Sequence, residues 1–264
     1  MRAKFAIDRR GVVVNATDRP NRRSYIHVER RGQLLQISLN RYAPVPALLA
    51  LIRHIRMVEG RISLRTELPI LGDRKRLTFS DACLSLGRYA MLRLEQQKKQ
   101  YFRSHLSLWG LVDQNDASIP AEMMALGQIR LSNLDTPSAL AKLDETQMQP
   151  MAFFYPNSEL KMVLAKPPSG AVWPRKMPES KQPVADIVPE PFALWLQIAY
   201  ETSLSVRQPM LHFGHMLLPS AQERKDELQP FRRLIMPISA KTERPSNYRV
   251  LTAAIRLSDG AWIL

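Results

Sequence analysis

The chain has one cysteine, and that scarcity excludes a good deal. Cys83 alone can form no internal disulfide and supports no zinc site of its own. No stretch of about 18 consecutive apolar residues occurs, which excludes a membrane-spanning helix. The first residues, Met1-Arg-Ala-Lys-Phe-Ala-Ile-Asp-Arg-Arg, are charged at once and lack the apolar core of a signal peptide. Glycine-rich phosphate loops, the G-x-G-x-x-G turn, H-E-x-x-H and G-x-S-x-G are all missing. No internal repeat or low-complexity tract is present. These absences lead to the expectation of a cytoplasmic, non-enzymatic protein with no recognisable cofactor, no metal and no membrane contact.

What is present is apolar material for real cores and a skewed charge. Hydrophobic residues make up 45% of the 264, enough for one large domain or two of ordinary size. The net charge is +14, and residues 1–110 hold all of it, with 22 Lys/Arg against 8 Asp/Glu. Residues 111–264 carry 16 of each. A composition boundary near residue 110 follows, with an acidic partner expected for the first half.

The first half reads as α+β. Phe5–Ile7 and Val12–Val14 flank a turn at Asp8-Arg9-Arg10-Gly11, and Tyr25–Glu29 and Leu34–Leu39 surround Arg30-Arg31-Gly32, a hairpin turn. After Pro44 and Pro46, the residues Leu48, Leu51, Ile52, Ile55 and Val58 form a helical stripe, with Gly60 as its cap. Arg61–Glu67 then alternates like a strand. A longer helix is predicted from Thr78, with Asp81 as capping-box partner, to about Arg103. That helix offers either a dimerising surface or a monomeric connector. The division expected is a basic α+β domain over 1–104 and a second domain over 105–264.

In the second half, residues 113–150 are mixed, with a helix-like stretch at Ala121–Leu126, and residues 166–191 are proline-rich and read as loop. Phe192–Val206 is apolar nearly all round, the mark of a buried helix. Three strands follow, Met210–Leu218, Arg232–Ser239 and Tyr248–Leu257, where Leu234, Met236 and Ile238 share one face. Pro237 confines its strand to an edge or a bulge.

A helix before three antiparallel strands, after a loop-rich segment and two short strands, resembles a PAS fold. The runs Trp195-Leu-Gln-Ile-Ala-Tyr200, Arg207-Gln-Pro209 and Phe231-Arg-Arg-Leu-Ile-Met-Pro237 are similar to the pattern of a group of alphaproteobacterial PAS-like proteins, as are Gly170 and Trp173 ahead of the helix. The resemblance covers about residues 150–264. It implies a sensory or protein-interaction role in signal transduction, often without a bound cofactor, in which a small ligand or a protein partner is bound and the state is passed to another chain.

Two sets of candidate residues result. Trp195, Ala199, Met210, His212, Leu234 and Met236 would line an apolar pocket or partner surface between the helix and the strands. Arg22, Arg23, Arg30, Arg31, Arg74, Lys75 and Arg76 fall at turns, where they would contact an anion or nucleic acid or simply form a solvated surface. Arg22-Arg23 before strands also resembles the PilZ domain that binds cyclic di-GMP, but the later Asp/Asn-x-Ser-x-x-Gly element is missing. His212 and His215 are three apart on one strand and project to opposite faces, which disfavours joint metal ligation. Cys83 lies on an apolar helical stripe and reads as a core thiol.

Overall fold

The computed structural model describes residues 2–15, 24–56, 61–66, 77–98, 102–108, 149–154, 163–166, 183, 186, 190–216, 229–239 and 248–254. The chain is α+β and divides into two compact units, Met1–Gln97 and Lys98–Leu264.

Unit 1 holds strands β1 (Arg2–Asp8), β2 (Val13–Asn15), β3 (Ser24–Arg31), β4 (Leu34–Leu39) and β5 (Arg61–Thr66), with helices α1 (Val45–Arg56) and α2 (Phe79–Gln97). The sheet order is β2-β1-β3-β4-β5. All neighbours are antiparallel except β4 and β5, which run parallel because α1 carries the chain across between them. The registers Ile7↔Ile26, Phe5↔Val28, Val28↔Ile37 and Leu35↔Ile62 set the apolar side chains on one face. Helix α1 covers that face, with the Phe5 and His54 rings in tilted contact at 4.1 Å between centroids. Thr78 caps α2 as its sequence implies: its Oγ1 accepts from the Asp81 N–H at 3.1 Å and donates to Asp81 Oδ2 at 2.6 Å. Cys83 is buried in α2.

Helix α2 ends at Gln97, short of the expected Arg103, and the chain divides there rather than after residue 104. Phe102–Leu108 is a strand, β6, of the second unit's sheet. Its period of two was legible: Ser104 and Leu106 are buried while Arg103 and His105 are exposed.

Unit 2 adds β7 (Gln149–Phe154), β8 (Val163–Lys166), α3 (Glu190–Val206), β9 (Met210–Met216), β10 (Gln229–Ser239) and β11 (Tyr248–Ala254). The sheet order is β6-β9-β10-β11-β7-β8, antiparallel throughout. Helix α3 packs on β10 and β11. Pro191 opens its first turn, and Arg207, at φ 58°, ends it by donating its N–H to Ser203 O at 2.9 Å.

Proline placement explains how β10 can be a central strand. Pro237 pairs with Val250 on β11 but lies past Met210, the last partner offered by β9. Pro230 pairs with β9 ahead of the β11 ladder, and Pro150 pairs with β11 ahead of the β8 ladder. Each sits where only one flank is paired, so none lies between two ladders. The helix-like stretch at Ala121–Leu126 lies outside the described residues.

Candidate binding site

The chemistry of unit 2 gathers where α3 meets β6, β9 and β10. Arg233 pairs across the ladder with His212, so both side chains leave the sheet on one face. Trp195 and Tyr200 come down from α3 onto that same face. Arg233 is fully buried, and its guanidinium lies 4.3 Å from the centroid of the Trp195 ring and 5.3 Å from that of Tyr200. Such cation–π contacts contribute about 0.5–2 kcal/mol each, the upper end when desolvated.

Arg233 Nε donates to His212 Nδ1 at 2.9 Å, and Nη2 approaches the same nitrogen. Nη1 donates to the Tyr200 hydroxyl at 3.5 Å. A guanidinium has only donors, so Nδ1 is the acceptor and the neutral imidazole carries its proton on Nε2. The rings of His212 and Trp195 are 4.5 Å apart, and Phe192 meets Trp195 edge-on at 6.4 Å.

Burial, then the Arg233 charge, then His105 hold the His212 imidazole well below its ordinary pKa. Burial also lowers the Arg233 guanidinium to about 10, with Tyr200 acting in the opposite sense. At neutral pH the pair is therefore a buried cation bonded to a neutral acceptor.

Strand β6 completes the cluster through a glycine. Gly214 has φ 150°, and a Cβ there would stand 2.1 Å from Arg103 O. Only glycine allows β6 so close, and Ser104, opposite Gly214, then accepts a hydrogen bond from Trp195 Nε1 at 2.9 Å.

The six residues expected to line one surface are divided by the strand register. Trp195 and His212 are in contact, Met210 shares the His212 face, and Ala199 lies one helical turn beyond Trp195. Leu234 and Met236 face the other way. Leu234 is opposite Leu211, while Arg233 and Ile235 face α3. In register Leu234 and Met236 are opposite Ala253 and Leu251 across β10 and β11. Arg233, Tyr200 and Ser104 were missed. The run Leu234-Ile235-Met236 marks a strand covered on both faces, but the inward position of Arg233 follows only from its register with His212.

Of the basic set, Arg22, Arg23, Arg74, Lys75 and Arg76 lie outside the described residues. Arg30 and Arg31 are exposed at the end of β3. Arg31 pairs with Glu29 at 3.0 Å, and Arg30 Nε donates to Gly32 O at 3.2 Å. His212 is buried and His215 exposed, on opposite faces of β9, and no metal-binding group of three side chains occurs among the described residues. No helix among the described residues is long and apolar enough to cross a membrane. Comparison with protein-family models, with curated proteins and with solved structures finds no match to this chain.

Proposed function

We propose that the second half of the chain is a PAS-like sensory or interaction module without catalytic activity, which acts in the cytoplasm, binds a small ligand or a protein partner, and passes its state to another chain. After β6, the order of elements in unit 2, with two short strands, a helix and three antiparallel strands, supports this reading. The observation that carries it is the buried meeting of Trp195 and Tyr200 with His212 and Arg233 at the helix–sheet junction. Binding modules fix orientation with a few polar groups set in apolar surroundings. A guanidinium costs free energy to bury, and that cost is tolerated where the charge supplies recognition or a choice between two states.

Native mass spectrometry of the purified protein with an absorption spectrum tests the proposal. The expected result is an added mass released on denaturation, or a melting temperature raised by a small molecule in the wild type and less so in Arg233→Met. A bare chain that no compound of a metabolite panel stabilises would remove the ligand version.

A second reading concerns the basic half, as a binder of nucleic acid or of an acidic protein. It is favoured by the confinement of the +14 balance to residues 1–110 and by the exposure of Arg9, Arg10, Arg30, Arg31 and Arg41. Binding to a polyanion would weaken with salt, by about 0.9 log unit per log unit of salt for each phosphate neutralised. Salt-independent binding would discount it.

A further inference from the structure

We infer that the outer edge of β2 is a docking strand for an extended, acidic segment of a partner protein, which lengthens the five-stranded sheet of unit 1. The inference rests on the second reading above and specifies how the basic half would hold such a partner.

Among the described residues strand β2 ends the sheet and pairs with β1 alone. Val12, Val13 and Val14 are 51%, 46% and 39% exposed. Successive strand residues point to opposite faces, so exposure of all three means that β2 stands clear on both. Edge strands are ordinarily protected by shortness, lysine, proline or an inward charge; β2 is short, at three residues, but the run Val12–Val14 has no lysine, proline or charge. Three consecutive exposed β-branched residues break the usual apolar–polar pattern, which marks an interaction surface.

The backbone is aimed for pairing. Asp8 donates its N–H to Val12 O at 3.1 Å, and the ladder register continues through Ile7↔Val13 and Ala6↔Val14. In an antiparallel pair the bonded positions alternate, so Val12 and Val14 face β1 and Val13 turns its N–H and C=O outward. The turn that presents this edge is already fixed. Asp8 Oδ1 accepts from the N–H groups of Arg10 at 2.8 Å and Val12 at 2.9 Å, and Gly11, at φ 81°, sits against Pro46 O at the start of α1. An ordered edge gives up little entropy on binding.

Charge selects among occupants. Arg9 and Arg10 are exposed in the turn that leads into β2. A second copy would bring the same arginines and the same +14 balance, and like charge opposes it. Nucleic acid would satisfy the arginines but offers no peptide groups to Val13. An acidic peptide in extended form satisfies both.

The test uses the full chain and fluorescence anisotropy of a labelled short peptide of alternating glutamate and valine, with its lysine counterpart as control. The wild type is expected to bind the glutamate peptide and not the lysine one. Val13→Pro, which removes only an outward N–H, is expected to weaken binding about tenfold or more at an unchanged melting temperature, in keeping with the loss of a paired strand bond. Arg9→Glu with Arg10→Glu is expected to reverse the peptide preference. Equal binding by Val13→Pro, with polyglutamate still bound in a salt-sensitive way, would overturn the edge while leaving the basic-half reading intact. Absence of any salt-sensitive binding to polyglutamate would overturn both. A wild-type dimer that Val13→Pro converts to monomer would assign the edge to a second copy instead. Duplex DNA that displaces the peptide, and whose own affinity Val13→Pro leaves unchanged, would assign the surface to nucleic acid.

Discussion

The interiors of the two units are made of different chemistry. The described core of unit 1 is apolar, from Ile7, Ile26 and Ile37 on the sheet to Leu48, Leu51 and Ile52 on α1. Every buried polar or charged residue among those described, Ser104, Glu201, Thr202, Ser203, Ser205, His212 and Arg233, belongs to unit 2. An apolar core is held by area and shape and tolerates exchanges that conserve volume. A core with a directed network is held by bonds that specify one arrangement and fail when a single partner is removed. The contrast gives unit 1 an interior that tolerates exchange and unit 2 an interior that depends on particular partners.

The largest effect expected from this contrast is at Arg233. Arg233→Ala should destabilise unit 2 by about 3–5 kcal/mol, because it strands the groups that surrounded the guanidinium and opens a void. Arg233→Met, which keeps the apolar stem between Trp195 and Tyr200, should recover most of that loss. Hydrogen exchange in mild denaturant resolves the units, and protection in unit 1 should hardly change. Equal loss in both units would break the comparison.

A pair of glycines gives the next effect. Gly214→Ala would drive its Cβ against Arg103 O and push β6 off β9, at a cost of roughly 2–4 kcal/mol and with loss of the Trp195–Ser104 bond. Gly11→Ala meets Pro46 O at 2.8 Å at a turn on the surface, and should cost only about 1–2 kcal/mol. Denaturant midpoints would order the two, and the reverse order would locate the tighter backbone constraint in unit 1.

Acid should separate the units by a smaller, graded effect. His212 is held neutral in the folded state, so as pH falls the unfolded chain takes up the proton first. The stability contributed by the neutral ring is complete above the ordinary histidine value of about 6.5 and is lost as pH falls below it, at up to about 1.4 kcal/mol per pH unit. Arg233 stays charged throughout that window, since even its lowered value is about 10. Protonation of His212 would also remove the acceptor that Arg233 uses and set two cations side by side. Urea midpoints from pH 7 downward should drop for the wild type and stay flatter for His212→Gln, and parallel curves would refute the assignment.

Much of the fold was legible and the site only half so, for physical reasons that particular residues display. The Thr78–Asp81 cap, the turns at Gly11 and Gly32 and the stripe of α1 depend on neighbours within one or two turns of chain, so the sequence displays them directly. The face of β10 depends on what lies on both of its sides. Arg232-Arg233 beside an apolar run suggests a solvent face, and only the register to His212 reveals that Arg233 is inward. Ser104 is likewise brought to Trp195 across 91 positions of sequence by the bare Cα of Gly214. Periodicity carries no information about such meetings.

The smallest expected effect comes from the one perturbed histidine described in unit 1. His54 lies half-buried on α1 beside Phe5, and burial alone lowers its pKa. The sign is the same as for His212: stability is present above about pH 6.5 and declines below it. The amplitude should be smaller, because water still reaches the ring and no fixed cation opposes its protonation. His54→Gln should therefore remove a shallow acid response from unit 1 and leave the steeper response of unit 2 in place, as read from exchange protection in each. If His54→Gln abolished the acid sensitivity of the whole chain, the titrating interior would belong to unit 1, and the contrast between an apolar core and a polar one would be reversed.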